Sequence, residues 1–150
     1  MEDVEHLPSW LLTQTAGYAG RMVSARFADV GARGYHYRVL SSLAMKGPAS
    51  QADLGRRVGI HLSDMVKALN EMAAAGFIRR VPNPDDRRRN IIMITDQGRA
   101  RTEQLARQAG SIQDELLEPL DRAEREQLTT LLTKLYRYHR MQESAPPPME

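Results

Sequence analysis

The run Phe77-Ile78-Arg79-Arg80-Val81-Pro82-Asn83-Pro84-Asp85-Asp86-Arg87-Arg88-Arg89-Asn90-Ile91-Ile92-Met93-Ile94-Thr95-Asp96-Gln97-Gly98 decides the fold. Phe77 to Val81 and Asn90 to Thr95 are short β-prone runs. Between them, two prolines and two acids precede three consecutive arginines, which is turn chemistry, so the pair reads as a β-hairpin with a charged tip. Two strands are too few to stand as a domain, and the surrounding helices must supply the core. Arg87, Arg88 and Arg89 repel one another on so narrow a projection. A polyanion rationalises them, and the strongly negative potential of a narrow minor groove suits such a tip. One of Asp85 or Asp86 is expected to pair with an arginine and hold the tip in shape; a merely solvated charged turn is the alternative.

Upstream of the hairpin, Gly76 closes a helical pattern that begins near His61, with Val66, Leu69 and Met72 facing inward and Lys67 and Asn70 outward. Before it, Ser50-Gln51-Ala52-Asp53 has the form of a capping box and starts a short helix that turns Leu54 and Val58 inward and ends at Gly59. Two helices joined by a glycine-containing turn form a helix-turn-helix, whose second member can enter a major groove about 12 Å wide. The groove-facing residues of that helix are His61, Ser63, Asp64, Lys67 and Asn70. Lys67 can read guanine or grip a phosphate, and Asn70 can pair with adenine if it reaches. Asp64 either accepts from cytosine or only complements the helix N-terminus. His61 occupies the N-cap position, where histidine is a mediocre cap, so a phosphate or base contact is open to it.

The outer segments are longer helices. Ser9 to Val30 reads as amphipathic, with Leu11, Tyr18, Met22 and Ala25 recurring at three- and four-residue steps, and Gly31 and Gly34 close it. Tyr35 to Met45 brings Tyr37, Leu40 and Leu43 near one face and stops at Lys46-Gly47-Pro48. Downstream, one helix runs from about Asp96 to Glu118 and breaks at Pro119. Another runs from Arg122 to about Met141, with apolar Leu128, Leu131, Leu132 and Leu135. The order is helix, helix, helix-turn-helix, hairpin, helix, helix: a mainly α (α+β) winged helix-turn-helix. Residues 1–32 and 99–143 form a helical dimerisation region, 33–98 the winged helix-turn-helix lobe, and the proline-rich 144–150 a tail expected to be disordered. Terminal helices flanking such a lobe pair with a second copy and set two recognition helices about 34 Å apart. An intrachain bundle is the alternative.

Bulk properties narrow the function. A chain of 150 residues buries about two-thirds of its unfolded surface and needs no staple. With no cysteine, disulfides, thiolate zinc sites and thiol switches are excluded. His6, His36, His61 and His139 show no ligand spacing, so neither metal nor cofactor is expected. From Lys46 to Arg101 the chain has 11 Lys/Arg against 6 Asp/Glu, and the remainder has 10 against 13. A basic middle between acidic ends implies a polyanion-binding lobe, unless the excess is chance on a solvated face. No apolar run reaches the roughly 20 residues of a membrane span, and the N-terminus lacks a signal-peptide pattern, so a cytoplasmic location is expected. The phosphate-binding glycine loop, His-Glu-x-x-His and Gly-x-Ser-x-Gly are all missing, and the chain reads as a non-enzyme.

Over roughly residues 9 to 141 the chain resembles the MarR (multiple antibiotic resistance regulator) family of bacterial transcription factors. The resemblance is carried by Tyr37-Arg38-Val39-Leu40, by Ser50-Gln51-Ala52-Asp53-Leu54-Gly55, and by Leu69 to Arg80 running into the wing. It is strongest at Asp85 to Gly98, which is similar to the family's Asp-x-Arg wing, strand, threonine and glycine. It implies an obligate homodimer of topology α1-α2-α3-α4-β-wing-β-α5-α6 that binds a pseudo-palindromic operator on double-stranded DNA and usually represses. Asp86 would then fix the wing and Arg88 enter the minor groove, with Arg87 and Arg89 beside it; Ser63, Asp64 and Lys67 fall on groove-facing positions. It further implies release by a small aromatic effector in a cleft for which Trp10, Tyr18, Arg21, Tyr35, His36 and Tyr37 are the candidate lining. Plain core is the other reading of those aromatics. A winged-helix protein-interaction module, or a constitutive DNA-binding protein without ligand response, are the competing functions.

Overall fold

The computed structural model describes residues 3–144; the proposed tail from Ala145 onward lies outside them. After a 3-10 turn at Val4–His6 come α1 (Pro8–Ala28), α2 (Gly34–Lys46), β1 (Ala49–Ser50), α3 (Gln51–Val58), α4 (Leu62–Ala74), β2 (Ile78–Pro82), β3 (Asn90–Ile94), α5 (Asp96–Leu116) and α6 (Arg122–Glu143). The chain divides into two units, Met1–Gln113 and Asp114–Glu150. Among the described residues no helix is long and apolar enough to cross a membrane.

The hairpin is antiparallel, with Ile78 opposite Ile94 and Pro82 opposite Asn90. It acquires a third strand that local sequence does not announce: Ala49 and Ser50 pair with Ile92 and Ile91, giving the order β1-β3-β2. Two residues are too short to carry an alternation signal, and their strand character comes from the partner. The core of the first unit is built from Phe27, Val39, Leu40, Leu43, Leu54, Met65, Leu69, Met72, Ile92, Leu105 and Ile112, with no charged side chain buried among them. Each such side chain contributes about 1.5–3 kcal/mol by leaving water.

Two expectations about facing are corrected. On α4 the buried stripe is Met65, Ala68, Leu69 and Met72, whereas Val66 is 40% exposed. Met65 and Val66 are adjacent, about 100° apart around the helix, and the i, i+3, i+4, i+7 series closes only on Met65. On α1 only Phe27 is buried, while Leu11 and Tyr18 are exposed. The start of α3 departs as well. Ser50 Oγ accepts from the Asp53 amide at 3.2 Å, but the Asp53 carboxylate pairs with Arg56 instead of closing the box. Hydrogen bonds from Ser50, then Arg56, hold that carboxyl below its usual range.

In the second unit α6 begins with a complete capping box. Asp121 Oδ1 accepts from the Glu124 amide at 2.9 Å and Glu124 Oε1 from the Asp121 amide at 3.1 Å. The helix buries none of its residues, and Leu131, Leu132, Leu135, Tyr136, Tyr138 and Met141 are all exposed.

Candidate nucleic-acid interface

The turn between α3 and α4 is made by Gly59, which takes the left-handed conformation at φ 63° and ψ 44°. A side chain there would cost about 1 kcal/mol or more. Its amide reaches back to the Gly55 carbonyl, and two residues later His61 caps α4 through its backbone alone, its side chain making no capping bond. His61, Ser63, Asp64, Lys67 and Asn70 are all exposed. Asp64 lies in the first turn, where its charge complements the free amides. Asn70 is engaged: its Oδ1 accepts from Arg80 Nη2 at 2.6 Å. Arg80 on β2 thus ties the helix to the wing, a role its own segment, read as a strand, did not disclose.

Asp86 organises the tip of the wing. Its Oδ1 accepts from the Arg88 amide at 3.1 Å, its carbonyl accepts from the Arg89 amide at 3.0 Å, and Oδ2 lies 3.6 Å from Arg89 Nε. Asn83 completes the turn: its Oδ1 accepts from the Asp85 amide at 3.0 Å and its own amide donates to the Arg89 carbonyl at 2.9 Å. Arg87 and Arg88 are exposed, and neither is paired with a carboxylate among the described residues. The tip therefore presents two free guanidinium groups on a backbone held by one acidic side chain. At its base, Thr95 Oγ1 donates to the Gly76 carbonyl at 2.6 Å and accepts from the Gly98 amide at 3.0 Å, while the Thr95 amide donates to the Phe77 carbonyl at 3.0 Å.

A polar link joins α2 to α4. His36 Nε2 lies 2.8 Å from Glu71 Oε2, Arg33 Nη2 lies 3.4 Å from Glu71 Oε1, and His36 Nδ1 accepts from the Arg33 amide at 3.4 Å. That pattern assigns the neutral tautomer with its proton on Nε2. Burial lowers the pKa of His36 from 6.5, against the opposing pull of Glu71; Arg33 and Arg101 add to the lowering. As pH falls below 6.5 the unfolded chain takes up a proton that the folded one refuses, so stability is lost in that direction. Between about pH 7.5 and about 5.5, His36→Gln should therefore flatten the decline of the thermal midpoint. A variant with the wild-type slope would show that His36 does not titrate against folding.

A cavity of about 490 Å³ opens in the first unit, lined among others by Ser24, Phe27, Tyr35, Tyr37, Arg38 and Ile112. Tyr37 stacks on Phe27 with ring centroids 6.0 Å apart, and the Tyr35 hydroxyl accepts from Arg33 Nη1 at 2.9 Å. Of the six residues singled out in sequence, Tyr35 and Tyr37 line this space. Tyr18 is exposed beneath the Arg21 guanidinium, which lies 4.8 Å from its ring centre; Trp10 is half-buried near the start of α1; His36 belongs to the link with Glu71. Ser24 and Arg38 were not anticipated, because no periodicity or motif marks a cavity wall. Among the described residues no cluster of His, Asp and Glu could hold a metal ion.

Among the described residues, six α-helices, a hairpin that follows a helix-turn-helix and a tip with two exposed arginines define a winged helix-turn-helix protein. Residues 29–89 match the model of the MarR family. The multiple antibiotic resistance protein MarR of Salmonella typhimurium is 29% identical over 100 residues, 66% of this chain and 69% of that protein. A probable transcriptional regulator from Pseudomonas aeruginosa superposes with TM-score 0.79 at 27% identity, over 89% of this chain and 99% of the other. BpsR of Bordetella bronchiseptica, whose DNA binding is regulated by 6-hydroxynicotinic acid, superposes with TM-score 0.81 at 21% identity, covering 91% and 97%. The chain is thus similar to MarR-type transcriptional regulators, in sequence over residues 29–89 and in fold along most of its length.

Proposed function

We propose that the protein is a homodimeric repressor that grips a pseudo-palindromic operator with α4 and the wing and lets go when a small aromatic ligand enters the cavity. The observation that carries the reading is the tip: Asp86 holds the backbone while Arg87 and Arg88 stay unpaired and exposed among the described residues. On this reading Ser63, Lys67 and His61 face the major groove, Asp64 serves mainly the helix N-terminus, and Asn70 contacts a base only after Arg80 lets go of it. Residues 33–98 form the DNA lobe, and 1–32 with 99–143 the dimerisation region. The apolar side chains that α6 leaves exposed support a second copy, since an unpacked helix is marginal in water. The protein then acts in the cytoplasm, where its operator is.

The volume and the mixture of Phe27 and Ile112 with Tyr35, Tyr37 and Ser24 suit a small aromatic acid or phenol, and 6-hydroxynicotinic acid, which regulates DNA binding by BpsR, is of that class. The test is fluorescence anisotropy with a duplex that the protein selects from a random pool, titrated with 6-hydroxynicotinate and a panel of phenolic acids. At least one acid should raise the Kd about tenfold, a coupling of about 1.4 kcal/mol, and Tyr35→Ala should abolish the response. Selective binding that no acid disturbs would make this a constitutive DNA-binding protein. A pool with no enriched sequence would leave a protein-interaction module.

A further inference from the structure

We propose that Leu62 and Val66 determine part of the operator's sequence by packing against thymine methyl groups in the major groove. This rests on α4 being the recognition helix. Leu62 is 71% and Val66 40% exposed, both in the N-terminal half of α4. The four-residue step between them places them on one strip, and the adjacent positions Ser63 and Lys67 are exposed as well. Neither belongs to the core, which α4 joins through Met65, Ala68, Leu69 and Met72. Two uncovered aliphatic side chains on the leading half of a helix in a basic lobe offer a contact to an apolar group of matching size.

Phosphates are polar, as are nearly all the groups that base edges present in the major groove. The exception is the C5 methyl of thymine. A protein partner fits worse, because a stable protein interface buries about 800 Å² on each side. Two side chains flanked by exposed Ser63 and Lys67 are a strip rather than such a patch. Leu62, the more exposed and nearer the helix start, is placed to reach furthest, with Val66 following one turn behind. The polar neighbours hold the register while the aliphatic pair discriminates thymine from cytosine, whose edge carries an amino donor and no methyl.

The experiment uses the full chain and the duplex it selects from a random pool, with thymines replaced one at a time by 2′-deoxyuridine, which removes the methyl and keeps the base pair. At one or two positions in each half-site the Kd should rise about threefold to fivefold, the worth of one buried methyl. In Leu62→Ala or Val66→Ala the same replacement should then cost nothing further, while affinity for unrelated duplex is unchanged; Leu62→Met should retain part of the sensitivity. Both positions are exposed, so the variants keep the fold. Deoxyuridine tolerated everywhere, or a penalty undiminished in both alanine variants, would overturn the proposal even as Arg88-dependent selective binding left the recognition reading standing. If no sequence were enriched, that reading would fall and this one with it.

Discussion

Gly98→Ala should lower the thermal midpoint by about 6–12 °C at fixed protein concentration, corresponding to about 3 kcal/mol in a chain of this size. Gly98 is buried in the first turn of α5, and a Cβ there would sit 2.0 Å from the Phe77 carbonyl oxygen and 2.7 Å from Ile94 Cγ1. The first contact is with backbone, so no rotamer change relieves it. The Phe77 carbonyl is also the acceptor of the Thr95 amide, so pushing it aside weakens the clasp at the base of the wing. The same substitution at Gly55 in α3, where a Cβ meets nothing within 4 Å, should instead stabilise by about 0.5–1 kcal/mol. A neutral Gly98→Ala, measured by scanning calorimetry beside Gly55→Ala, would show that β2 and α5 can separate without loss.

Thr95 and Gly98 also show what a sequence can and cannot disclose. Both stood out as part of a motif, yet the reason for the motif, a carbonyl passing within a methyl's width of a helix start, needs two segments about twenty residues apart. The wing was legible because its turn is local: prolines, an Asx turn and the Asp86 carboxylate all act within seven residues. The phase of α4 was not, because Met65 and Val66 are both apolar and adjacent, and only packing decides which one is covered. Links such as Asn70 with Arg80 and Glu71 with His36 join residues 10 and 35 positions apart. No periodicity connects them, and for the same reason the cavity lined by Ser24, Phe27 and Arg38 had no signature.

Arg88→Ala should weaken binding to the selected duplex by about 1–3 kcal/mol for each wing engaged, without moving the thermal midpoint. Its guanidinium is unpaired among the described residues, and the bond that orders the tip uses its backbone amide, which alanine retains. Affinity should fall steeply with salt, and the slope of log Kd on log salt should drop by about one for each guanidinium removed, or about two in a dimer. Arg88→Lys should keep that slope and lose part of the sequence preference, since lysine supplies a point charge without the planar fork. Asp86→Ala separates charge from geometry. Counting charge alone, removing an acid from a DNA-binding tip strengthens binding. Here the same carboxylate accepts from the Arg88 amide at 3.1 Å and lies 3.6 Å from Arg89 Nε, so its loss frees a turn that must then be ordered on the DNA. Preorganisation outweighs one screened surface charge, and Asp86→Ala should bind several-fold more weakly than wild type. A tighter Asp86→Ala complex, seen with unchanged Arg88 dependence, would mean that the wing acts through charge alone and that its shape is set by the DNA.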